Sequence, residues 1–128
     1  MDFNIHKGVR WSASKAYIRP ALSRPNLHVK SGLLVTKILF DKTRAIGIET
    51  CMFKKEAHRY TNPRLAPVDS GNRVNLYAQS DVILCGGAIN SPQLLLLSGV
   101  GPADWLVQHN IDSVVNLPGV GENLQDHL

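Results

Sequence analysis

Residues 82–92 restrict the possible folds of this chain more than any other stretch. Val82-Ile83-Leu84-Cys85 is continuously apolar and runs directly into Gly86-Gly87-Ala88, then Asn90-Ser91-Pro92. An apolar run without alternation suits a strand covered on both faces in a parallel sheet. The glycines allow a tight turn, Asn90 or Ser91 is fit to cap a helix, and Pro92 suits the first helical position. Gln93–Ser98 is then the expected helix, with Gly99 as its C-terminal stop. Strand, glycine turn and helix N-terminus make an α/β arrangement and also build an anion site. The first-turn amides of a helix lack partners, and its dipole favours negative charge there. The same Gly-Gly turn also serves as a plain tight connection, and the pattern alone leaves both readings open. No Gly-x-Gly-x-x-Gly occurs in the chain, so the primary pyrophosphate loop of a dinucleotide fold is absent.

Around this unit the pattern predicts strands and short helices. Ser12 can cap a helix over Ala13–Ile18, which Pro20 stops or kinks. Ser23-Arg24-Pro25-Asn26 reads as a turn into a short strand, Leu27-His28-Val29. Leu33 to Phe40 is rich in branched aliphatics. A turn at Asp41-Lys42-Thr43-Arg44 then leads into Ala45–Phe53 as the returning strand of a hairpin. Lys54 to Asn72 is polar and reads as an exposed loop, long enough to be an insertion. Val74, Leu76 and Ala78 alternate with polar residues, as in a half-exposed strand. Pro102 opens a second helix containing Trp105 and Leu106 and ending near Asn110. Ile111–Val115 follows as a short strand or extended segment.

Composition excludes several classes. At 128 residues with 44% hydrophobic content, the chain fits one domain and can supply a core. The net charge of +4 hides an asymmetry: residues 1–64 hold 13 Lys/Arg against 4 Asp/Glu, and residues 65–128 hold 1 against 6. A basic half can mark a nucleic-acid partner. Here the charges stand singly, Lys54-Lys55 apart, and aromatic residues make up only 6%. A solvated face is therefore expected, and nucleic acid is not. Cys51 and Cys85 show no metal spacing and no disulfide framework, and Cys85 is expected to be a buried free thiol. His6, His28, His58, His109 and His127 are scattered without a His-x-x-x-His pair, so no metal site is expected. The longest aliphatic run, Leu94–Leu97, is far too short to cross a bilayer. No basic-then-apolar leader opens the chain, which in a fragment carries no information about compartment.

The run Gly87-Ala88-Ile89-Asn90-Ser91-Pro92-Gln93-Leu94-Leu95-Leu96-Leu97-Ser98-Gly99-Val100-Gly101 resembles the second signature of the glucose–methanol–choline (GMC) oxidoreductases, and every fixed position is filled. Leu117-Pro118-Gly119-Val120-Gly121-Glu122-Asn123-Leu124-Gln125-Asp126-His127 resembles a further segment of that family. Gly8-x-Arg10-x-Ser12 and Arg24-Pro25-Asn26-Leu27-x-Val29 resemble the stretch leading into its flavin-domain hairpin. The wording is most similar to glucose dehydrogenase-like members. The resemblance implies a partial FAD-binding, Rossmann-like α/β domain with a β-hairpin or meander layer. It also implies FAD as cofactor and a small alcohol or sugar as substrate.

Residue by residue, the resemblance implies that the backbone amide and carbonyl of Val35 read the adenine of FAD. Taken alone, Val35 is an ordinary buried strand residue. Gly86, Gly87 and Ala88 would lie where the carboxyl edge of the sheet meets the cofactor. Asn123, Asp126 and His127 would lie on a loop near the flavin, and they read equally well as a loop held by its own hydrogen bonds. None of the five histidines matches the catalytic position of the family, so no catalytic residue is expected here. The resemblance covers about a quarter of a family member and breaks off inside a family block at Leu128. Residues 1–128 are thus expected to be an internal fragment, without the Gly-x-Gly-x-x-Gly unit and the C-terminal substrate domain, and inactive alone. Two alternatives stand beside this: a non-catalytic binding module derived from a flavin domain, and a fragment of a related flavin-containing lyase.

Overall fold

The computed structural model describes residues 4–53 and 68–126. They form two compact units, Met1–Ser31 and Gly32–Leu128. In the first, β1 (Ile5–His6) pairs antiparallel with β2 (Val9–Arg10) across a turn at Lys7-Gly8, where both residues have positive φ. The His6 and Trp11 rings lie 4.6 Å apart beside it. Ser12 caps the following helix as expected: its Oγ accepts the Lys15 N–H at 3.3 Å. Pro20 does not stop the helix, which continues as α1 (Arg19–Ala21). Instead the turn before it, Ser14–Ile18, opens so that the Arg19 N–H reaches the Ser14 carbonyl. Proline lacks an N–H and its ring presses on the carbonyl four residues back, and a widened turn accommodates both. The turn at 23–26 forms, with the Arg24 N–H bonded to the Ala21 carbonyl and the Leu27 N–H to the Arg24 carbonyl. The strand expected at Leu27–Val29 does not. It pairs with no strand among the described residues, and Val29 is exposed.

The second unit is built on a three-stranded antiparallel meander, in the order β3 (Leu33–Asp41), β4 (Arg44–Phe53), β5 (Val68–Tyr77). The β3–β4 hairpin turns through Lys42-Thr43, with Lys42 at φ 54°. Two bulges interrupt its register, so that Thr36 is an extra residue on β3 and Ile46 an extra residue on β4. Of the loop expected at 54–72, residues 54–67 lie outside the described residues. The remainder is a correction, because β5 begins at Val68. Its pairing with β4 passes from Arg73 to Asp69, so 70–72 bulge out of the ladder. That excursion is why the polar Asp69-Ser70-Gly71-Asn72 run looks like a turn.

The apolar run at 82–85 is a second correction. It is extended, but no described strand pairs with it, and Ile83 is 81% exposed. Cys85 is likewise exposed rather than buried, and the buried thiol is Cys51. An uninterrupted apolar run signals a covered strand only where neighbours exist to cover it, and the described residues supply none.

Helix α2 (Gly87–Leu97) starts well before Gln93 and takes Pro92 into its interior. Neither Asn90 nor Ser91 is its N-cap; Gly86 is. It stops where expected. Gly99, at φ 86°, ends it, and a β-carbon there would collide with the Asp112 carbonyl and Val114. Beyond it, β6 (Val100–Gly101) and β7 (Val115–Asn116) pair in parallel around α3 (Ala103–Gln108). The side-chain oxygen of Asn116 accepts the Ala103 N–H at 3.1 Å, capping α3 from the far strand.

The buried side chains include Ile38 of β3, Thr50 and Cys51 of β4, Ser98 at the end of α2, Val100 of β6 and Leu106 of α3. Ser98 is fully buried; its Oγ accepts the Ile38 N–H at 2.8 Å and donates to the Leu94 carbonyl at 2.6 Å. This one hydroxyl ties the end of α2 to the outer edge of β3.

Candidate functional site

A cleft of about 930 Å³ opens between the meander and the extended segment that leads into α2. Leu34 and Val35 of β3, Leu76 and Tyr77 of β5, residues 81–86, and Asn90, Ser91 and Leu94 of α2 all line it. Its lining is mostly apolar and Asp81 is its one charged side chain. Small-molecule sites are commonly about 300–1,000 Å³, largely apolar, with a few polar groups that fix orientation. Here polar side chains of the lining, Tyr77, Asn90, Ser91 and Gln93, are joined by backbone groups.

Val35 supplies the first of them. β3 is an outer strand of the sheet, so one of its edges has no strand neighbour among the described residues. The Ile38 N–H points to that edge, since it bonds Ser98. Ile38 pairs with Ile48 and Val35 with Thr50, two residues along β4. In an antiparallel ladder, positions two apart make the same kind of pair. Val35 therefore turns its N–H and C=O outward as Ile38 does, and the Thr36 bulge is what keeps the two in phase across three residues of β3.

The glycines supply the second. A β-carbon on Gly86 would come within 3.1 Å of both Asn90 Cβ and the Ser91 nitrogen, so the turn would have to give by a few tenths of an ångström to take one. Gly87 has open space around it but sits at φ +84°, a conformation that side-chain-bearing residues avoid. The Gly86 N–H is taken by Ser91 Oγ at 3.0 Å. Gly87, Ala88 and Ile89, all exposed, form the first turn of α2, where backbone amides have no partner within the helix.

Of the residues singled out from sequence, the structure brings Val35 and Gly86 to one cleft. Gly87 and Ala88 follow directly, exposed and outside its lining. Asn123, at φ 56°, and Asp126 do not line it, and His127 lies outside the described residues. Sequence reasoning missed a cluster beside Val35. Glu49 Oε1 accepts the Thr36 hydroxyl at 2.6 Å and the Arg73 guanidinium at 2.6 Å. The Thr36 hydroxyl above all, and then Arg73, hold the Glu49 carboxyl below its ordinary value. The sequence does carry a trace of it: Thr36-Lys37 places two polar residues in succession inside an apolar strand, which is how a bulge reads. Among the described residues no three His, Cys, Asp or Glu gather as a metal site, and no helix is long and apolar enough to cross a membrane.

Comparison with known proteins places this geometry. The family model for GMC oxidoreductases matches residues 1–128. The chain is 50% identical over 128 residues to mitochondrial choline dehydrogenase of Homo sapiens, covering 100% of this chain and 19% of that protein. It is 42% identical over 129 residues to oxygen-dependent choline dehydrogenase of Brucella ovis, covering 100% of this chain and 20% of that protein. It thus spans about a fifth of the length of these curated relatives. Among solved structures, an FAD-dependent oxidoreductase from Chaetomium thermophilum superposes with a TM-score of 0.69 at 31% identity, over 86% of this chain and 16% of the other. Pyridoxine 4-oxidase from Mesorbium loti gives 0.67 at 25% identity, over 90% of this chain and 19% of the other. The relatives quoted are choline dehydrogenases, so the glucose dehydrogenase-like subgroup finds no support among them. With a match over every residue and a shared α/β fold, the chain belongs to the GMC oxidoreductase family, whose cofactor is FAD.

Proposed function

We propose that this chain forms the adenine-end portion of the FAD site in an enzyme that oxidises the CH–OH group of a small alcohol. The supporting observation is the joint lining of one cleft by Val35 and Gly86. The residues present fit the cofactor. The adenine edge carries one acceptor and one donor, and an outward-facing strand residue offers an N–H and a C=O in matching order. The apolar walls suit the faces of the ring, and the Gly87–Ile89 amides suit a neighbouring phosphate. Asn123 and Asp126, which do not line this cleft, and His127 would serve the flavin end of the cofactor.

Bound FAD would supply the hydride acceptor for the alcohol carbon, and this chain's share would be to bind and orient its nucleotide end through Val35 and the Gly86–Ile89 turn. No residue here is assigned to proton transfer, and residues 1–128 are taken as an internal part of the FAD-binding domain. The names of the relatives favour a small quaternary-ammonium alcohol over a sugar as substrate.

Equilibrium dialysis of the full chain tests the cofactor assignment. FAD should be retained, and ADP should displace it. Riboflavin, which lacks the adenine end, should not. Displacement by riboflavin as effective as by ADP would overturn the assignment.

A further inference from the structure

We propose that Thr36, Glu49 and Arg73 form a positioning clamp that holds the β3 bulge in register, so that Val35 and not Thr36 offers its backbone to adenine. The inference rests on the reading of Val35 as the adenine contact and goes beyond it, since none of the three residues lines the cleft.

The argument is one of register. β3 carries one residue more than β4 between the pairs Val35↔Thr50 and Lys37↔Glu49, and Thr36 is that residue. Were Thr36 to join the ladder as an ordinary residue, it would take the place opposite Thr50. Val35 would move opposite Cys51, one step along, and its N–H and C=O would turn inward to β4. The outward donor–acceptor pair would then belong to Thr36, one residue further from Leu34 in the cleft wall.

A bulge is a local choice between two nearly equal pairings, and something must bias it. The Thr36 hydroxyl reaches both the Glu49 carbonyl, at 3.3 Å, and the Glu49 carboxylate, at 2.6 Å. Glu49 is the residue that the bulge straddles, so both bonds exist only while Thr36 stays out of the ladder. Arg73 then holds the carboxylate from β5, at 2.6 Å. It stands beside the 70–72 excursion, so the clamp joins irregularities on two strands through their shared neighbour. Charge-assisted bonds of this length are the stronger kind. Glu49 is shielded, its side chain 19% exposed, while the Arg73 side chain is 54% exposed and forms the solvent end of the clamp.

The readout is base selectivity, which a loss of general stability would not move. Hypoxanthine presents the reverse polarity on the same edge, an acceptor where adenine has its amino donor and a donor where adenine has its acceptor. The full chain should therefore bind ADP at least about tenfold more tightly than inosine diphosphate. Thr36→Val, which keeps strand propensity and removes the hydroxyl, should bring that ratio to about threefold or less. Thr36→Ser, which keeps the hydroxyl donor, should hold it within about twofold of the original. A Thr36→Val chain with the original ratio overturns the clamp. If Thr36→Val does not fold, Arg73→Gln takes its place: the ratio should narrow there, and an unchanged ratio is equally fatal. Should the unaltered chain not distinguish ADP from inosine diphosphate, the Val35 assignment itself fails, and the two failures are thereby told apart.

Discussion

Replacing Ser98 by alanine removes one oxygen from the most enclosed position of the larger unit. Ser98 is 0% and Ile38 3% exposed, so the Ile38 N–H loses its acceptor where no water reaches it. The lost bond is worth about 1 kcal/mol net, and an orphaned buried donor adds roughly 1–2 kcal/mol. The Leu94 carbonyl also loses a donor at the helix end. The sum is about 2–3 kcal/mol, a large share of the roughly 5–15 kcal/mol that stabilises most domains. It weighs more here because four hydrophobic side chains are buried, against 18 large ones that are exposed, among the described residues. With a urea slope of about 2 kcal/mol per M, the unfolding midpoint should fall by roughly 1–1.5 M. Hydrogen exchange at the Ile38 amide should accelerate together with it. A midpoint unchanged within about 0.3 M, with Ile38 still protected, would refute the view that this hydroxyl joins α2 to the sheet.

Two further outcomes follow from the same geometry. The Glu49 carboxyl titrates below its ordinary value in the folded chain, chiefly through the Thr36 hydroxyl, so its contribution is complete above the unfolded value and is lost as pH falls through the folded one. Urea midpoints measured between about pH 3 and pH 6 should therefore drop more steeply in the unaltered chain than in Glu49→Gln, and parallel curves would contradict the interaction. A thiol reagent should modify Cys85 in the native chain and Cys51 only once the sheet is opened by denaturant; equal initial rates would contradict the burial pattern.

Much of the meander and the second helix was legible because local chemistry decides them. The Lys42-Thr43 turn, the branched aliphatics before it, Gly99 after α2 and Pro102 before α3 all act within a few residues. The start of α2 was not legible for the opposite reason. Pro92 favours a first helical position, but Ser91 reaches back to the Gly86 amide and the turn closes earlier. That bond is a local side-chain contact with no sequence period. The run at 82–85 misled because apolarity reports what a segment would bury, not whether a partner is at hand. At the site, Val35 and Gly86 line one cleft; resemblance alone singled out Val35, whereas the strand–turn–helix pattern also pointed to the Gly86-Gly87 turn. The Thr36 bulge escaped notice although two successive polar residues, Thr36-Lys37, mark it in an apolar strand.

The Asn116 cap on α3 bears on how the chain collapses. A parallel strand pair ordinarily demands a distant crossover, and closing so long a loop delays it. Here β6, α3 and β7 fall within residues 100–116, and the last of these residues fastens the first turn of the helix. Such a segment closes at small entropic cost and depends little on the order in which β3, β4 and β5 assemble. It is therefore the natural place for native structure to arise first and to persist longest as the sheet comes apart.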